Sequence, residues 1–164
     1  MDSIDKFNKL SKAEFISIFG NIFEKTEWVA EKCYESKPYN NLDELVSKMM
    51  KIFENIEKEK LLEILNSHPD LVVEKKLTKD SKNEQKNASL NQCNDEEFLE
   101  FKKLNEEYKK KFGFPFIVAV KGKNKEEILN SFRQRITNNI NLEFEEAKKQ
   151  VKKIASFRLS EITK

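Results

Sequence analysis

The sequence predicts an all-α fold: one compact multi-helix domain over residues 1–164, with a single buried extended segment at about 114–120. Three observations carry this. Only 3 Gly and 3 Pro occur in 164 residues, too little turn chemistry for a fold built from many hairpins. Ser11 with Glu14, Asn94 with Glu97 and Asn124 with Glu127 each set a capping side chain three residues before a carboxylate, the signature of a helix start. Behind each lie apolar residues at helical spacing.

The first helix is expected from Ser11, with Phe15, Ile18, Phe19, Ile22 and Phe23 on its buried face; Trp28, Val29 and Ala30 extend that face until Lys37-Pro38 interrupts it. Asn41, with Glu44 three residues on, starts the next helix, whose inner side is Leu45, Met49, Ile52, Phe53 and Ile56. A shorter helix through Leu61, Leu62, Ile64 and Leu65 must finish near Ser67-His68, because Pro69 crowds the residue before it out of helical geometry. From Val73 to Asn87 the chain is polar and shows no hydrophobic period, so no element is assigned there. Phe98, Phe101, Leu104 and Tyr108 describe a helix that ends near Phe112-Gly113. The uncharged run Phe114 to Val120 is too short for a typical helix and rich in β-branched residues; its backbone N–H and C=O groups, if buried, need partners and are candidates to face a ligand. Ile128, Leu129, Phe132 and Ile136 mark the following helix, and Phe144, Ala147, Val151, Ile154 and Leu159 the last.

Balanced charge limits the function classes. With 31 basic and 29 acidic residues the formal net charge is +2, so no strong field attracts a polyanion, and the lysines from Lys75 to Lys86 have no interleaved aromatics. Nucleic acid is not expected as a partner. Cys33 and Cys93 stand apart, without CxxC spacing or clustered histidines, so neither a metal site nor a disulfide framework is expected. No stretch has the length and apolarity of a membrane span, the first residues lack an apolar signal core, and the last four are not a peroxisomal Ser-Lys-Leu; a soluble, cytoplasmic protein is the expectation.

His68 is the only histidine, and its position between a helix end and a proline lets a ring nitrogen face a cavity while the backbone is held. An ordinary pKa near about 6.5 suits imidazole to proton transfer at neutral pH. Arg133, Arg135 and Arg158 are the only arginines among the basic residues. Two readings fit Arg158, set among Ile154, Ala155, Phe157 and Leu159: a planar fork for a substrate carboxylate, or a structural ion pair at a helix end. Glu84, read locally, is one carboxylate among many.

The ordered set Glu14-Phe15, Phe19-Gly20, Trp28-Val29-Ala30-Glu31, His68-Pro69-Asp70-Leu71, Ser81 to Gln85, Leu104-Asn105, Tyr108, Phe112 to Phe116, Val120-Lys121-Gly122 and Arg158-Leu159 resembles the 2-oxo-4-hydroxy-4-carboxy-5-ureidoimidazoline (OHCU) decarboxylase family along nearly the whole chain. The resemblance implies an all-α homodimeric carboxy-lyase of urate breakdown that makes (S)-allantoin and needs neither metal nor organic cofactor. It also implies His68, Glu84 and Arg158 as catalytic residues. Pro69, Ser81, Lys82, Asn83, Glu84 and Gln85, with Phe116, Ile117, Val118, Ala119 and Val120, would bind substrate, the second segment mainly through its backbone. The stretch between His68 and Ser81 is about four residues shorter than in many relatives, Lys82 replaces a more usual Thr and Ser89 a glycine, so affinity or scope is expected to differ. The alternatives are a member acting on a related ureido or imidazoline acid, or a helical binding module that keeps the fold without catalysis.

Overall fold

A computed structural model describes residues 3–72, 78–88 and 90–163. Lys75, Leu77 and Ser89, together with the centre of the connection expected to be shortened, lie outside the described residues. The described chain is helical throughout its regular elements: α1 Ser3–Asn8, α2 Lys12–Phe19, α3 Glu27–Glu35, α4 Leu42–Glu54, α5 Lys58–Ser67, α6 Lys79–Asn87, α7 Asp95–Phe112, α8 Lys125–Arg135 and α9 Ile140–Ile162, with a 3₁₀ turn at Leu90–Gln92. The all-α expectation therefore holds. None of the described helices is long and apolar enough to cross a membrane.

The chain groups into two compact units, one formed by residues 1–67 with 152–164 and the other by 68–151. In the first, Phe15 and Phe19 pack with ring centres 4.7 Å apart, Phe7 meets Phe19 edge-on at 5.1 Å, and Phe23 stacks on Phe53 at 4.9 Å. Each such pair adds about 0.5–1.5 kcal/mol to the burial of its rings. The expected Ser11 capping box is present: the Ser11 hydroxyl accepts the Glu14 N–H and the Glu14 carboxylate accepts the Ser11 N–H. The apolar face that follows is split between α2 and α3. Gly20 closes α2 with its N–H on the Ile16 carbonyl, and a Cβ there would stand 2.4 Å from that same oxygen. Lys25 then takes a left-handed φ of 52°, so the chain turns while Ile22 and Phe23 stay buried. The unassigned α1 is joined to the segment after α3: the Asn8 amide bonds the Tyr39 carbonyl and N–H, and Lys37 Nζ donates to the carbonyls of Asn8 and Leu10.

In the second unit the core is a cluster of aromatic rings. Phe116 stacks on Phe132 at 3.9 Å, and the Tyr108 ring meets Phe114, Phe116 and Phe132 edge-on. The helix α7 begins at the expected Asn94–Glu97 capping box and ends at Gly113, whose φ of 80° is the left-handed geometry that favours glycine at this position. The Asn124–Glu127 box likewise starts α8. The polar stretch without an assigned element folds as α6, capped by the Thr78 hydroxyl accepting the Ser81 N–H at 3.2 Å. The uncharged segment lies outside any helix from Pro115 to Val120, and every residue of it is buried.

Candidate active site

α5 ends at Ser67 and His68 follows at once, as Pro69 requires, with the His68 residue only 9% exposed. The segment after it is held from two helices. Gln85 of α6 donates from Nε2 to the Asp70 carbonyl at 3.3 Å and accepts the Val72 N–H on Oε1 at 3.1 Å. From α7, Asn105 Nδ2 donates to the Leu71 carbonyl at 2.8 Å and Lys109 Nζ pairs with Asp70 Oδ2 at 2.6 Å. Val72 takes a φ of 55°, which a β-branched residue adopts only when its surroundings impose it.

α6 carries the expected binding block. Helical periodicity puts Ser81 and Gln85 on the buried face with Glu84 half-buried beside them, while Lys82 and Asn83 are exposed on the outer face. The Gln85 amide thus reaches the backbone two and four residues beyond His68, and its helix brings Glu84 into the same unit as His68.

The 116–120 segment is held by a buried polar network. Arg135 Nη1 donates to the Ile117 carbonyl at 2.7 Å, its Nε donates to Glu143 Oε1 at 2.7 Å, and its guanidinium lies over the Phe116 ring at 4.4 Å. Glu143 also accepts the Tyr108 hydroxyl at 2.6 Å and the Asn138 amide at 3.1 Å. Gln150 Oε1 accepts the Ala119 N–H, and Val120 accepts the Lys123 N–H on its carbonyl. The remaining backbone groups of Val118, and the Ile117 and Val120 N–H groups, have no hydrogen bond within the described residues. Buried main-chain groups are rarely left so without water or ligand. Burial and the hydrogen bond to Glu143 push the Tyr108 hydroxyl pKa above its ordinary value.

Arg158 lies in the first unit. Its Nη2 donates to Glu24 Oε2 at 2.9 Å and its Nη1 to the Asn21 carbonyl at 2.7 Å, and both charged side chains are almost fully buried. The structural ion pair is thereby realised in the turn between α2 and α3. Cys33 is buried in the same unit and burial pushes its thiol up to about 12. Among the described residues no three His, Cys, Asp or Glu side chains gather as a metal ion would require.

The family model described as OHCU decarboxylase matches residues 8–160. The chain belongs to the OHCU decarboxylase family. The 2-oxo-4-hydroxy-4-carboxy-5-ureidoimidazoline decarboxylase of Haloferax volcanii is 36% identical over 159 residues, 97% of this chain and 95% of that protein. A uric acid degradation bifunctional protein of Bacillus sp. (strain TB-90) is 41% identical over 162 residues, 99% of this chain, which spans only 32% of that longer protein. A crystal structure of (S)-allantoin synthase matches with a TM-score of 0.80 at 28% identity, over 100% of this chain and 54% of the other.

Glu143 and Gln150, which help to organise this OHCU decarboxylase family member, were not singled out from sequence, and Arg135 and Asn105 were noted there only as an arginine and as part of a motif, without a role. All four are buried polar side chains on otherwise apolar helix faces. The signal was periodicity: Asn105 falls on the stripe Phe101, Tyr108 and Phe112, and Arg135 on the stripe Ile128 and Phe132. A polar residue in such a stripe must find a partner, and these do.

Proposed function

We propose that this chain, acting as one domain over residues 1–164, is a carboxy-lyase that converts OHCU to (S)-allantoin in urate catabolism, without a metal or organic cofactor. The observation that carries the reading is the 36% identity to the Haloferax volcanii decarboxylase over nearly the full length of both chains. A cytoplasmic homodimer belongs to the same proposal and rests on the family resemblance.

The reaction breaks one C–C bond, releases CO2 and leaves an electron pair that the substrate's own conjugated ring accepts. One proton then adds to the carbon, and the face on which it adds sets the stereochemistry. His68, largely buried at the end of α5, is assigned the proton transfer, with Glu84 of α6 as its partner. The unpartnered N–H and C=O groups between Ile117 and Val120 suit a ligand rich in amide-like donors and acceptors, such as a ureido-substituted ring. Pro69 borders His68, and Ser81 and Gln85 line the buried face of α6. Lys82 and Asn83 are assigned contacts at the outer rim of that helix. Arg158 is assigned the substrate carboxylate, a role it would combine with its ion pair to Glu24.

OHCU generated in situ from urate provides the test, with optical activity followed as allantoin forms. Wild-type protein is expected to accelerate the reaction and yield one enantiomer, His68→Ala to leave the spontaneous rate and a racemic product, and Glu84→Gln to remain folded but be strongly impaired. A racemic product at the spontaneous rate with wild-type protein would overturn the assignment.

A further inference from the structure

We propose that Gln85, Asn105 and Lys109 are positioning residues that clamp the segment 70–72, the first two through its backbone and Lys109 through the Asp70 carboxylate, and thereby set the placement of the His68 imidazole. The proposal rests on the reading of His68 as the proton-transfer residue.

Three side chains from two helices converge on three consecutive residues. Gln85 brackets the turn, bonding the Asp70 carbonyl and the Val72 N–H. Asn105 takes the carbonyl between them, and Lys109, one helical turn further along α7, takes the Asp70 carboxylate. The segment belongs to no helix, so its backbone groups would otherwise lack partners. The clamp also holds Val72 at φ 55°, where a Cβ-branched residue is strained and would relax toward negative φ if released. Such relaxation would move the chain within four residues of His68. Gln85 follows Glu84 directly, so the same contact registers α6 against the His68 segment. The Asn105 amide cannot be exchanged end for end, because the Leu71 carbonyl requires the NH2 group. A side chain so fixed, and 4% exposed, suits a locating role.

Charge-neutral variants separate position from electrostatics. Gln85→Met and Asn105→Leu remove the hydrogen bonds without adding charge near the imidazole. Because His68 is the only histidine, its ring protons give a single NMR signal set that reports placement independently of turnover. Both variants are expected to lower kcat on the order of tenfold to a hundredfold and to shift or split the His68 signals and their titration midpoint; KM stays within about twofold in Asn105→Leu and rises in Gln85→Met, where the assigned substrate contact is lost as well. Adding Val72→Gly to Gln85→Met should recover most of the lost kcat and the wild-type signals, since glycine accepts the left-handed φ without the clamp. Folded variants with unchanged His68 signals and kcat would overturn the proposal, as would a loss confined to KM in Asn105→Leu. Should Asn105→Leu fail to fold, the His68 signals of Gln85→Met without substrate decide: unchanged signals overturn the proposal. Absent turnover in the wild type would refute the functional reading, and the NMR comparison would still decide the clamp.

Discussion

Arg135 and Glu143 form an ion pair buried in the second unit, with the guanidinium Nη2 2.5 Å from the carboxylate, and Glu143 is fully buried. Two charges removed from water cost more to separate than to keep, because the survivor is left uncompensated. Glu143→Leu is expected to lower unfolding free energy by about 3–5 kcal/mol in urea titration. It also frees Arg135, which holds the Ile117 carbonyl and the face of Phe116. If the 116–120 backbone binds substrate, KM rises in the same variant.

Alkaline stability should report Tyr39 and Tyr108. Burial, the largest cause in both, raises their hydroxyl pKa values; at Tyr108 the hydrogen bond and charge of Glu143 add to it. A folded-state pKa above the unfolded value means the stabilisation is complete below about pH 10 and is lost as pH rises beyond it. The expected result is that the tyrosinate absorbance of these two residues appears together with loss of helical circular dichroism. Tyr39→Phe and Tyr108→Phe identify their contributions. Reversible ionisation of either while the protein stays helical would contradict the burial argument.

At the acid end the helix caps contribute. The Asn94 N–H and then Lys125 hold the Glu97 carboxyl below its ordinary value of 4.5, and Ser11 does the same for Glu14. Groups with depressed pKa values stabilise the fold above their unfolded pKa and lose that contribution as pH falls through the folded value. Thermal melting is therefore expected to decline below about pH 4.5, with reversal on neutralisation. Asn94→Ala removes one side of the box that starts α7 and should cost about 1 kcal/mol at neutral pH. Equal melting temperatures for this variant and wild type would show that α7 does not depend on its cap.

Local signals in the sequence reach as far as single helices. The boxes at Ser11, Asn94 and Asn124 are legible because a cap and its carboxylate lie three residues apart. The turn at Gly20–Thr26 is hidden because Ile22 and Phe23 stay buried through it, so the apolar pattern continues where the helix does not. The helix α6 is hidden for the opposite reason: its buried face is Ser81 and Gln85, which carry no hydrophobic period. In the candidate site, His68 is marked by Pro69, its neighbour. The clamp has no such mark, because Gln85 and Asn105 act on carbonyls 15 and 34 residues away, and backbone atoms have no residue identity to read.

The two readings of Arg158 can be separated by a double-mutant cycle with Glu24. Glu24 is fully buried and accepts from Arg158, so Arg158→Met removes a cationic partner from a carboxylate held away from water. That change alone is expected to cost about 3–5 kcal/mol of stability, and Glu24→Leu to cost a similar amount by removing the carboxylate that pairs with the buried guanidinium. The pair Glu24→Leu with Arg158→Met removes both charges and should recover most of the loss, since apolar replacement of a buried ion pair is often neutral. If Arg158 also receives the substrate carboxylate, the double variant will be as stable as wild type yet bind OHCU poorly, with a raised KM. Wild-type turnover in a stable double variant would leave Arg158 a structural role, and the carboxylate contact would have to be sought elsewhere.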